Sequence, residues 1–117
     1  MRTKAMGDDT SAPFWMAGEG ALQHDGVQRG TMMGFPCLRF HGTFFASCER
    51  RTGNLIVKLP VQRVQELIHA KEAIAFAPNG RTFREWALIT SRDADRWHHF
   101  ISEALAFAQH PDNPRAA

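Results

Sequence analysis

The chain has 117 residues, 44% of them hydrophobic, which suits a single globular domain with one core. Fourteen basic residues nearly balance twelve acidic ones, and a net charge of +2 permits contact with nucleic acid without arguing for it. No apolar run approaches the roughly 18 residues that span a bilayer, and Met1-Arg2-Thr3-Lys4 is not followed by the apolar segment of a signal peptide, so a cytoplasmic location is expected.

Residues 1–12 are small, polar and charged and read as a flexible N-terminal tail. A single domain is expected over 13–109. The end, 110-HPDNPRAA-117, holds two prolines and no apolar anchor, and reads as a second flexible tail. Inside the domain the first predicted element is a helix. Ser11 is placed to cap it, Pro13 fits its first turn, and Phe14, Ala17, Ala21 and Leu22 share a face. Gly18 and Gly20 oppose it by about 1 kcal/mol each relative to Ala.

A strand-rich block follows. Strands are predicted over Val27–Met33, Pro36–Phe40, Thr43–Cys48 and Asn54–Leu59, with His41-Gly42 as a turn and 49-ERRTG-53 as a hairpin loop. Such a meander pairs antiparallel. Pro60 then opens a second helix in which Val61, Val64, Leu67 and Ile68 form one apolar stripe. The run 73-AIAFAP-78 predicts a short strand, Asn79-Gly80 a turn, and 82-TFREWALIT-90 another strand. In that last strand Phe83, Glu85, Ala87 and Ile89 face one way and Arg84, Trp86, Leu88 and Thr90 the other. A final helix is predicted from about Asp93 to Gln109, capped by Ser91 or Asp93, with Trp97, Ile101, Ala104, Leu105 and Ala108 on its apolar face. The expected fold is α+β in two layers. An antiparallel sheet of five to six strands carries helices on one face, in the order helix, three or four strands, helix, two strands, helix.

The stretch 30-GTMMGFPCLRF-40 invites a phosphate-loop reading, but it lacks the Lys and the following helix that such a loop needs. Met32 and Met33 point to opposite sheet faces, which places at least one of them in the core. The six histidines form no H-x-x-x-H pair, and His98 and His99 diverge on their helix, so no metal site is expected. If His41-Gly42 is a two-residue turn, Cys37 pairs with Ala46 and Cys48 lies diagonally across on the same face. The expected state of both cysteines is reduced and mostly buried.

No nucleophile–base spacing is visible, and catalytic residues and cofactors are expected to be absent. Glu85, turned inward, is expected to pair with Arg84, Arg81 or Arg39, a buried carboxylate otherwise having a raised pKa. Arg50, Arg51, Arg81 and Arg84 sit on or beside turns, where arginines hold phosphates, with Arg92 and Arg96 near the last helix. Phe44 or Phe45, if exposed, offers a stacking surface. Acidic residues such as Glu49, Glu66, Glu72, Asp93 and Asp95 interrupt any basic stripe.

The run 30-GTMMGFPCLRFHGTFFA-46 resembles the glycine–methionine–glycine entry and G-x-x-FA hairpin of the TfoX N-terminal domain family. In order after it come 55-LIVKLP-60, a helix with Val64 and Leu67, 76-FAPNGRTFREWALI-89 and a Trp-bearing helix. The resemblance covers about 27–109, and the YjbR-like proteins are similar at a greater distance. It implies a two-layer fold like that of type III secretion chaperones, a link to competence regulation, DNA-related roles in some members, and no established catalytic residues. Two-domain members continue into a helical domain, and this chain stops near that boundary. Gly34, Gly42, Lys58, Trp86 and Trp97 have structural explanations: turn geometry, a snorkelling or paired lysine, and large apolar anchors. The expected function is a non-enzymatic module that binds another protein or a second copy of itself. The alternative is a nucleic-acid-binding accessory protein using its loop arginines.

Overall fold

A computed structural model describes residues 12–32, 34–49 and 51–111. The expected tail up to residue 11, the Ser11 cap, Met33, Arg50 and residues 112–117 lie outside them. Three helices and six strands follow in the order α1 (Ala12–Leu22), β1 (Val27–Met32), β2 (Phe35–Phe40), β3 (Thr43–Cys48), β4 (Leu55–Lys58), α2 (Val61–His69), β5 (Ala73–Phe76), β6 (Phe83–Ile89) and α3 (Ala94–Gln109). The sheet runs β1-β2-β3-β4-β6-β5, and each neighbouring pair is antiparallel. This is the two-layer α+β arrangement expected, with six strands.

Apolar spacing explains the helix layer. Phe14, Ala17 and Ala21 of α1, Val64 and Leu67 of α2, and Trp97, Phe100, Ile101, Ala104 and Leu105 of α3 share one buried cluster with Leu38, Ala46, Leu55, Val57, Ala87 and Ile89 of the sheet. Gly18 persists in α1 against helix propensity because a Cβ there would lie 2.9 Å from Cδ1 of Leu38, a fully buried side chain with nowhere to move. The helix crosses the sheet too closely at that point for any side chain. At Gly34 and Gly42 the reason is backbone instead, since both take φ above +80°.

The start of α3 settles the choice between its two expected caps. The Asp93 carboxylate accepts from the Asp95 N–H at 2.8 Å and the Arg96 N–H at 3.3 Å, while the Ser91 hydroxyl accepts from the Asp93 N–H at 3.0 Å. Asp93 is the cap and Ser91 shapes the turn before it. Asp93→Ala should cost about 1 kcal/mol, the usual worth of a cap, read as a lower urea midpoint with an unchanged slope. No change would mean that the bonds are not made in solution.

One irregularity re-routes two expectations. Phe40 opposes Thr43 and Arg39 opposes Phe44, but Leu38 opposes Ala46, leaving Phe45 as the extra residue of a bulge. Cys37 therefore opposes Ser47, not Ala46. Cys48 belongs to the cluster beneath the helices, whereas Cys37 and Ser47 lie on the other face. The two thiols are separated by the sheet, which corrects the neighbouring arrangement that a regular hairpin would give. Phe45 is turned into the core and fully buried, so the stacking or docking surface expected of it is not there.

Candidate interaction surface

The sheet has a second face, away from the helices. Successive registers carry one row across it: Gly30, Cys37, Ser47, Ile56, Leu88 and Ile74. Cys37, Ser47 and Ile56 are fully buried, Leu88 is 9% exposed and Ile74 is 51% exposed. The row is closed at the middle of the sheet and opens at β5. Ser47 stays satisfied there by donating to the Pro36 carbonyl at 2.9 Å.

Among the described residues strand β5 is an edge, bonded only to β6. Its neighbour Phe83 is 42% exposed and packs on Phe76 with ring centroids 5.9 Å apart. Ala75 and Ala77 are exposed as well. Ile74, Phe76 and Phe83 thus give this end of the sheet an apolar character that folding leaves in water. Met16 and Ile68 are the other exposed large apolar side chains among the described residues, and they sit on separate helices. The Ile68 exposure departs from the stripe expected for α2, of which Val64 and Leu67 are the buried members.

The loop arginines do not converge. Arg51 is exposed on the β3–β4 loop, and Arg81 and Arg84 are exposed around the β5–β6 turn. These turns lie at opposite ends of β6, roughly 20 Å apart at the usual rise of a strand. Other arginines are engaged within the fold. Arg29 lies over the Trp15 ring at 4.8 Å, Arg92 donates to the Thr52 carbonyl and lies 5.9 Å from the Trp97 ring, and Arg96 pairs with Glu72. Phe44 is half-buried opposite Arg39, whose Nε is buried without a hydrogen-bond partner among the described residues. The Arg39 stem lies over Gly30, where a Cβ would sit in ordinary contact, 3.4 Å from that Nε.

The sites named for structural roles fall as follows. Trp97 is 2% exposed in the core, and Trp86 is half-buried opposite Lys58. The Lys58 ammonium lies 3.9 Å from a Glu85 carboxylate oxygen, so the partner of Glu85 is this lysine and not one of the three arginines expected. With both side chains part-exposed, the pair contributes little. It borders a cleft of about 300 Å³ with Thr43, Phe45, Ala104 and Phe107. A second cleft of about 290 Å³ between α1 and α3 holds His24, His98 and Ser102. No three His, Cys, Asp or Glu side chains among the described residues are grouped as metal ligands require.

A stronger charged pair escapes sequence reading altogether. Glu103 on α3, 8% exposed, accepts from Arg63 of α2 through Nε at 2.6 Å and through a terminal nitrogen at 3.2 Å. His99 Nε2 lies 3.4 Å from the same carboxylate. The bonds to Glu103 hold the Arg63 pKa above its ordinary value. Forty residues separate the partners, and no local spacing announces them.

Both thiols are inert by position. Burial pushes Cys37 up, and it pushes Cys48 up from 9.0 to about 11, against the opposing pull of Arg92. A thiol whose folded pKa is raised leaves stability intact below pH 9. Stability is then lost between 9 and about 11, as the unfolded chain ionises first. Native protein at pH 8 should therefore resist a thiol reagent until denaturant is added; rapid labelling of Cys48 without unfolding would contradict this burial.

No helix among the described residues is long and apolar enough to cross a membrane. Compared with known proteins, the chain matches no family model, no curated protein and no solved structure.

Proposed function

We propose that this chain is a small, non-enzymatic protein-interaction module of the cytoplasm, of the kind that its resemblance to the TfoX N-terminal domain implies. The observation that carries this reading is the apolar end of the sheet, where Ile74 and Phe83 are 51% and 42% exposed beside β5, the edge strand among the described residues. Exposed apolar side chains gathered at one place cost solubility unless something covers them, and an open strand edge is a template for another chain. Affinity capture from a native lysate, with the wild-type chain and an Ile74→Lys/Phe83→Ser variant as baits, tests it. A protein retained by the first bait, lost from the second and indifferent to nuclease supports the module. Identical profiles from both baits would remove it.

A second reading has its own observation. Arg81 and Arg84 are exposed on either side of the exposed Phe83, a small basic and aromatic platform of the type that holds single-stranded nucleic acid. Retention on immobilised DNA or RNA that falls steeply with salt and weakens in Arg81→Ala/Arg84→Ala would favour it. No retention at low salt would end it.

A further inference from the structure

We infer that the partner at this edge is a second copy of the chain, joined strand to strand through β5 so that two six-stranded sheets become one. The inference rests on the module reading above and names its partner.

Backbone geometry comes first. The Thr90 N–H donates to the Glu72 carbonyl at 3.1 Å, and Ala73 opposes Ile89 in register. Bonds toward β6 therefore fall on residues 72 and 74. In an antiparallel ladder the alternate residues turn the other way. Ala73 and Ala75 thus present N–H and C=O groups to solvent along the edge, and neither side chain is large enough to obstruct an approaching strand.

Self-complementarity comes second. A two-fold axis through Ala75 sets its N–H against the Ala75 carbonyl of the other copy, and the reverse. It also brings Ile74 of each copy toward Phe76 of the other, just past the register shift between Ala75 and Phe76, and β-branched and aromatic neighbours of this kind are favourable. A symmetric contact of this type uses the same patch twice. Residues 73–80, AIAFAPNG, carry no charge, so the pairing brings no like charges together. The opposite edge does not offer this. A two-fold pairing of β1 centred on Gln28, Arg29 or Gly30 brings the two copies of Arg29 within two residues of each other across the ladder, and Arg29 is exposed there. Charged residues on an edge are a common guard against such contacts, and β5 lacks the guard. Pairing at β5 alone closes after two chains.

Sedimentation of the full chain over a concentration series tests this, with Ala75→Pro and Ile74→Lys as variants. Proline at position 75 removes only an outward N–H, which an edge strand tolerates, and lysine at 74 charges the edge without touching the ladder to β6. The expected result is a wild-type mass that rises with concentration from 13.2 kDa to twice that value, while both variants stay at 13.2 kDa. If Ala75→Pro alters the unfolding midpoint, Ile74→Lys decides. A wild-type chain of 13.2 kDa at every concentration overturns the second copy but leaves the capture experiment to judge the module reading. Dimers that persist in both variants, or species larger than two chains, overturn pairing through β5.

Discussion

Trp97→Ala should remove about 4 kcal/mol of stability, a large part of the roughly 5–15 kcal/mol that a domain has to lose. Trp97 is the largest of the fully buried side chains and stands where α3 meets the sheet. Two kinds of interaction end together on its removal. The ring leaves a cavity in the buried cluster that all three helices share with the sheet, where close packing limits collapse. The indole N–H also donates to the Ser91 carbonyl at 2.6 Å, tying the helix to the segment that enters it. Trp97→Phe should cost clearly less, since it keeps most of the ring volume and loses the bond. Urea unfolding of the three proteins separates the two contributions. A cost near 1 kcal/mol for the alanine variant, the ordinary effect of a point substitution, would mean that the core does not depend on this ring.

The second large effect concerns the pair that joins α2 to α3. Arg63→Ala should destabilise by about 2 kcal/mol, because it strands the Glu103 carboxylate, 7% exposed in its side chain, without its main partner. The figure sits below the roughly 3–5 kcal/mol of a fully enclosed pair, since Arg63 is itself 31% exposed and water reaches it. Removing both charges is a different experiment. Arg63→Met/Glu103→Leu spares the desolvation of two ions and restores apolar contact, so it should lie close to wild type. The double variant distinguishes a stabilising bridge from a tolerated one. If it is as unstable as Arg63→Ala alone, the pair contributes to stability in its own right. Salt should matter little to the wild type, because the carboxylate is shielded from counterions.

These residues also mark how far the sequence could be read. Element types followed from periodicity and turn chemistry, because the two helix stripes and the alternation of β6 are local properties. The strand Thr43–Cys48 and the end of α3 at Gln109 were placed on the residue, being bounded by a glycine turn on one side and a proline-containing end on the other. The bulge at Phe45 was not legible. No glycine or proline announces it, and TFFASC reads as a regular strand. It lets Ala46 follow Phe45 into the core and so puts Cys37 and Cys48 on opposite faces of the sheet.

The candidate surface was only partly visible for a related reason. The alternation expected for 82–90, with Trp86 and Leu88 on the side opposite Ala87 and Ile89, pointed to a second sheet face that carries apolar residues. Which part of that face stays open depends on strand order, and the insertion of β6 between β4 and β5 makes β5 the edge. Phe44, which the sequence offers as a stacking surface, is half-buried, whereas Ile74, Phe76 and Phe83, which nothing local distinguishes from other strand residues, form the exposed end. Arg63 and Glu103 meet through tertiary packing over a separation that no periodicity encodes.

Amide hydrogen exchange at Ala75 tests the proposed docking edge most directly. Its N–H points away from β6 by the alternation of the ladder, and no described residue of the same chain bonds it. Slow exchange in concentrated protein, turning fast on dilution while the Ile74 amide stays protected by β6, is the expected result. Fast exchange of the Ala75 amide at every concentration, with or without a captured partner, would contradict a docking role for the β5 edge.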